Sequence, residues 1–265
     1  MADSLSAAAR RVLGTTGARG KAIVSQEMAA AWRAGDVPFA FDGDLPDRPG
    51  RPKRPELLTP RDMPRRGRGG TERGRVALLH ALAHIELNAI DLAWDAAARF
   101  GEAMPRAFSD DWISVGDDEA RHFHMLVDRL AEMGADYGDL PAHDGLWQAA
   151  IDTKDDLIAR LAVVPQVLEA RGLDVSPATI DRLRRAGDDA SADIVDTIYH
   201  DEIGHVAIGN KWFRFVCESK GAEPVQTFRS AVNRYFSGRV KPPFNDSARH
   251  KAGLTSDFYT ALDHP

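Results

Sequence analysis

From Val76 onward, apolar and small residues recur at helical spacing. The series Leu79, Leu82, Ala83, Glu86, Ala89, Ile90, Ala93 predicts one long helix from Val76 to Phe100 and puts Glu86 in the middle of its buried stripe. Gly101 and Pro105 close that helix, and a second is predicted from about Arg106 to Met133 with Gly134 as its stop. Its stripe reads Trp112, Val115, Gly116, Glu119, His122, Phe123, Leu126, so an acid and an imidazole again lie inside. Residues 135–144, with Gly138, Pro141 and a possible N-cap at Asp144, read as the connection between two helix pairs. A third helix is predicted from about Gly145 to Arg171, ended by Gly172 and bent by Pro165, four residues before Glu169. Ser176-Pro177 then reads as a helix start, with Ser as cap and Pro at the first helical position. Helical character continues to about Ser219, interrupted near Gly187, and its core stripe is Val195, Ile198, Tyr199, Glu202, His205, Val206, Gly209.

Shorter patterns flank this region. Ser4 to Leu13, ended by Gly14, and Lys21 to Ala34, ended by Gly35, predict two peripheral helices. Near the C-terminus a short helix is expected around Val225 to Phe236, followed by a break at Pro242-Pro243. The stretch FNDSARHKAGLTSDFYTAL then supplies a helical cap in which Phe244 and Phe258 are expected to seal the core. The resulting division is 1–75 for N-terminal helices and an extended arm wrapping the bundle, 76–219 for an all-α four-helix bundle, and 220–265 for a C-terminal extension.

Composition adds bounds. With 265 residues, 43% hydrophobic and 28% charged, the chain suits one large globular domain with an extension. The single cysteine, Cys217, excludes an intramolecular disulfide, and the opening MADSLSAAARRVLGTTG lacks the apolar core of a secretory signal. No apolar run approaches the roughly 20 residues needed to cross a bilayer. These observations lead to the expectation of a cytoplasmic protein without membrane contact.

Charge is distributed unevenly. Residues 47–75 hold ten Arg or Lys against four acids, a local charge of +6 in a chain whose net charge is −6. Five prolines there disfavour a long helix, which predicts an extended basic arm. Such an arm could clamp phosphate or nucleic acid, or be a strap whose arginines pair with acids beneath it. Without interleaved aromatics for base stacking, the strap is the preferred reading.

The chemistry lies in two look-alike stretches, Asp118-Glu119-Ala120-Arg121-His122 and Asp201-Glu202-Ile203-Gly204-His205. Glu-x-x-His on a helix stacks carboxylate and imidazole on one face, one turn apart, where both can reach the same metal ion. The offset from Glu86 to Glu119 is 33 residues, and from Glu169 to Glu202 it is again 33. This equality singles out Glu169 among the acids of the third helix and suggests that two helix pairs repeat. One Glu from each of two helices and Glu-x-x-His from each of two others is the ligand pattern of di-iron and di-manganese carboxylate bundles. Four carboxylates buried together would each carry a desolvation cost of several kcal/mol if unpaired, and two divalent cations would cancel their charge.

These motifs resemble the ferritin-like superfamily over about residues 76–219. DEARH is close to the Asp-Glu-x-Arg-His signature of di-iron monooxygenases and ribonucleotide reductase small subunits, whereas DEIGH departs from it at Gly204. More closely, HALAHIELNAIDLAWD, VLEARGLDVSP and YHDEIGHVAIGNKWF resemble a bacterial ferritin-like family of unassigned activity. The resemblance implies a ferritin-like bundle holding two iron ions, with manganese or zinc as other occupants. Their ligands would be Glu86, Glu119, His122, Glu169, Glu202 and His205. Asp118 and Asp201 would orient the imidazoles from behind. Tyr199 and Arg121 are the catalytic candidates, although a core tyrosine and a carboxylate-supporting arginine are the preferred roles. His80, His84, His124 and His200 fall off the ligand faces.

The expected activity is an O2-dependent oxidase or hydroxylase acting on a small organic substrate, in a monomer or dimer. Iron handling as a ferroxidase and a non-catalytic, metal-stabilised bundle are the alternatives. A tRNA-modifying hydroxylase is retained because of the basic arm. Since Gly204 replaces the arginine of the first motif, access for substrate or oxygen is expected on its side.

Overall fold

The computed structural model describes residues 2–59, 61–64, 70–260 and 262, and all regular structure among them is helical apart from one isolated bridge between Leu57 and Ala142. The all-α expectation therefore holds. The chain forms two compact units, Met1–Trp147 with Arg185–Ile194, and Gln148–Arg184 with Val195–Pro265.

In the first unit, α1 (Leu5–Gly14) starts where the Ser4 hydroxyl accepts the Ala7 N–H at 2.9 Å. The next helix, α2 (Ala18–Ala34), stops at Gly35, whose φ of 81° gives the left-handed C-cap that glycine adopts without penalty. The two long helices are α3 (Glu72–Phe100), capped by Thr71, and α4 (Arg106–Glu132). They pack against each other, with α1 and α2 on their flanks. Gly116 makes the approach possible, since a Cβ there would stand 2.9 Å from Trp94 Nε1. Trp94 Nε1 donates to Ser25 Oγ at 2.8 Å, and Ser25 donates to the Gly116 carbonyl at 2.7 Å, which ties α2, α3 and α4 at one point.

Against the expectation that no apolar run approaches bilayer length, the segment Glu72–Ala103 is long and apolar enough to cross one by length and composition. Most of it is buried inside the protein, as expected of a core helix. Two of its polar residues, Asn88 and Asp91, are engaged by Arg51 and Lys21. Asp91, fully buried, accepts from Lys21 Nζ at 2.5 Å and from Arg51, which also donates to Asn88 Oδ1 at 2.6 Å. Within the basic arm, Arg48 pairs with Asp144 at 2.5 Å. Arg51 and Arg48 are thus engaged by acids of their own unit. Pro60, Arg65, Arg66 and Arg68 of the arm lie outside the described residues.

The second unit departs most from the sequence expectation. In place of one helix from Gly145 to Arg171, the chain forms α5 (Gly145–Asp152), α6 (Leu157–Val163), a π-helical turn over Val164–Glu169 and α7 (Ala170–Arg185). The break after Asp152 is set by side chains. Thr153 Oγ1 bonds the Ala149 carbonyl at 2.7 Å, and Asp156 caps α6 by accepting from Ala159 N at 3.1 Å. Gly172 does not end a helix, and Ser176-Pro177 lies inside α7 rather than starting one.

Both internal prolines survive because a side chain replaces the missing backbone donor. Pro165 cannot bond the Leu161 carbonyl four residues back, and Gln166 Nε2 donates to that carbonyl at 3.0 Å. Pro177 cannot bond the Leu173 carbonyl, and Asn245 Nδ2 reaches it at 3.1 Å. After Gly187, α8 (Asp189–Ser219) begins in the first unit and runs into the second, followed there by α9 (Pro224–Tyr235), α10 (Asp246–Lys251) and α11 (Ser256–Tyr259). The C-terminal elements are anchored by Arg249, which pairs bidentately with buried Asp174 at 2.8 and 2.7 Å and faces the Tyr259 and Phe244 rings. Phe258 packs with Phe213 and Phe228 in the core.

Candidate metal centre

In the first unit, α3 carries Glu86 and α4 carries Glu119 and His122 one turn apart, all three buried. His122 Nδ1 lies 3.3 Å from Glu86 Oε2 and 3.3 Å from Glu119 Oε2, with hydrogen-bond geometry toward Glu119. One ligand atom from each of the three falls within 4.8 Å of the others, a grouping able to hold a metal ion. Glu86 Oε2 is fully buried and has no hydrogen bond of normal geometry. A buried carboxylate oxygen costs free energy unless something neutralises it, so the donor set fits a cation.

The electrostatics express the same shortage of positive charge. Burial, and next the Glu119 charge, hold the Glu86 carboxyl well above the usual carboxylate range. Burial alone would lower the His122 imidazolium, but its hydrogen bond to Glu119, its close contact with Glu86 and the charges of both push it up to about 11. Two carboxylates and an imidazole suit iron, manganese or zinc.

In the second unit, Glu202 and His205 stand one turn apart on α8, with His205 Nδ1 3.6 Å from Glu202 Oε1. His205 is buried and the Glu202 side chain is 13% exposed. Glu169 is the last residue of the π turn, half-buried, with its Oε2 turned away from solvent. The six expected ligands are therefore distributed as a close group of three in the first unit, a close pair in the second, and Glu169 on an element of a different kind.

Of the supporting residues, Asp118 pairs with Arg121 on its own helix at 3.0 Å. Asp201 is half-buried on α8. The Tyr199 hydroxyl accepts from Asn245 Nδ2 at 3.0 Å. A Cβ on Gly204 would meet nothing within 4 Å, and the residue is exposed. His84 and His80 have other work. His84 sits between the Tyr137 hydroxyl at 2.8 Å and the His143 carbonyl at 3.2 Å, and burial lowers it to about 4. His80 Nε2 accepts from Gly138 N at 2.9 Å.

Sequence reasoning missed the Lys21–Asp91–Arg51 cluster beside Asn88, two residues beyond Glu86. The available signal was Asp91 itself, an acid in a stretch that is apolar all round. It also missed Gln166, whose signal was its place directly after Pro165 in an otherwise helical run.

Comparison with known proteins adds a family. The profile of the family described as "Protein of unknown function (DUF455)" matches residues 14–260. An "Uncharacterized protein" of Haemophilus influenzae (strain ATCC 51907 / DSM 11121 / KW20 / Rd) is 41% identical over 210 residues, covering 77% of this chain and 73% of that protein. No solved structure matches the chain.

Proposed function

This chain belongs to the family described as "Protein of unknown function (DUF455)", and on that footing we propose that it is a ferritin-like dinuclear metal protein, with iron as its metal. Its activity would be an O2-dependent oxidation or hydroxylation of a small organic substrate. The observation that carries the reading is the buried Glu86 carboxylate, one oxygen of which has no hydrogen bond of normal geometry although His122 and Glu119 stand beside it.

Glu86, Glu119 and His122, with Glu169, Glu202 and His205, are the ligands in this proposal. The equal 33-residue offsets supply the argument for counting all six in one set. Iron bound there would supply the electrons for O2 chemistry. The chain's own contribution is to keep His122 and both first-unit carboxylates dry, so that their charges act at full strength on whatever they hold. Arg121 pairs with Asp118, the first residue of the motif, at 3.0 Å and holds it in place. Tyr199, held by Asn245, is a packing residue in this reading and not a redox group. Because Arg48 and Arg51 are already engaged by Asp144, Asp91 and Asn88, a small molecule is preferred over tRNA as substrate.

The test is elemental analysis of protein produced with iron available, paired with oxygen consumption by the ferrous form. Two transition-metal ions per chain with oxygen uptake are expected. Protein that holds no transition metal overturns the reading, and metal without oxygen uptake reduces it to a metal-stabilised bundle.

A further inference from the structure

The π turn Val164–Glu169 is wedged against α8 at one point. A Cβ on Gly209 would lie 2.4 Å from Pro165 Cβ and 2.5 Å from Pro165 Cγ, closer than any real Cβ contact. The proline ring therefore occupies the space that a side chain at 209 would need. Both residues are buried and both belong to the second unit.

The positions of the two partners give the contact its meaning. Glu202, His205 and Gly209 follow the i, i+3, i+7 spacing of one helix face, so Gly209 marks the face of α8 that carries the second motif. Pro165 stands four residues before Glu169, close to one turn of a π helix, which puts proline and carboxylate on the same side of the turn. The π turn itself follows from Pro165, because a proline inside an α-helix loses its N–H bond and its ring presses on the carbonyl four residues back. Widening the turn relieves that pressure, and Gln166 Nε2 takes up the Leu161 carbonyl at 3.0 Å.

We infer that Pro165 and Gly209 are positioning residues which set where the Glu169 carboxylate stands relative to the Glu202–His205 face of α8. Proline opens the turn, the missing side chain at 209 lets the ring seat, and Gln166 fixes the widened register. The inference deepens the proposed function and rests on Glu169, Glu202 and His205 being metal ligands.

The experiment compares metal binding by the full chain with its Gly209→Ala, Pro165→Gly and Gly209→Ala/Pro165→Gly variants, using Mn(II) and anaerobic Fe(II) as probes. Each single variant is expected to lose about 10- to 100-fold in affinity, the range for disturbed ligand support. The double variant is expected to lose no more than Pro165→Gly alone, since without the ring the methyl at 209 has nothing to displace. Introduced into a Glu169→Gln background, Gly209→Ala is expected to cause no further loss, whereas a general packing defect would add to it.

Metal binding by Gly209→Ala and Pro165→Gly equal to that of the unmodified chain overturns the inference and leaves the proposed function standing. Additivity with Glu169→Gln also overturns it. An unmodified chain that binds neither metal removes the proposed function and the inference together. Should Gly209→Ala fail to fold, as judged by circular dichroism, Pro165→Gly with and without Glu169→Gln decides by the same two criteria.

Discussion

The two units place the same arithmetic on different local structures. Glu86 and Glu169 each precede a Glu-x-x-His motif by 33 residues. Glu86 sits in the middle of an uninterrupted α3, 3% exposed, whereas Glu169 is half-buried and closes a π turn that contains Pro165. A repeat in spacing is thus not a repeat in backbone. The first unit fixes its carboxylate by surrounding it with packed helix. The second fixes its own through a wedge and a substitute hydrogen bond.

The largest effect should come from the ligands themselves. Glu119→Ala removes a carboxylate that is fully buried beside His122 and is expected to abolish detectable iron, whereas Glu202→Ala should leave one ion per chain. Elemental analysis reads both, and equal loss in the two variants would erase the contrast between the units. Next come the buried ion pairs, one in each unit. Asp91→Ala strands Lys21 and Asp174→Ala strands Arg249, each at a cost of about 3–5 kcal/mol. Hydrogen exchange should localise the first loss to α1–α4 and the second to α7 and α10.

Gln166→Ala is a smaller change confined to the second unit. It leaves the Leu161 carbonyl without its donor and is expected to cost about 1–3 kcal/mol in chemical denaturation. The smallest effect concerns Asp188 in the first unit. Burial would raise its pKa, but hydrogen bonds from Ser191 and Arg129 and the Arg129 charge outweigh this and hold it below the ordinary 3.8. A carboxyl depressed in the folded state stabilises it above the unfolded value and loses that contribution as pH falls through the folded one. Asp188→Asn should therefore flatten the acid limb of stability below about pH 4 and leave the slope near neutrality unchanged.

These contrasts also mark what could be read from residues alone. The α3 and α4 stripes are clean because period 3.6 is satisfied throughout, and their ends at Gly101 and Gly134 fall within one or two residues of the expected places. The inward direction of Glu86, Glu119 and His122 followed from the same periodicity. The third predicted helix failed for a reason that local sequence does not contain. Ser176-Pro177 has every mark of a helix start, yet α7 continues through it because Asn245, far along the chain, bonds the carbonyl that Pro177 leaves open. The Lys21–Asp91 pair is similarly a contact across 70 positions. Periodicity shows which way a residue faces, and only the folded chain shows what it meets there.

Cys217, the sole thiol of the chain, lies fully buried on the second-unit part of α8, and burial raises its pKa, so it is shielded from electrophiles on two counts. It therefore serves as a native clock. The rate at which a thiol reagent consumes Cys217 reports how often the second unit opens, and a ligand that slows that rate has bound in a way that steadies α8.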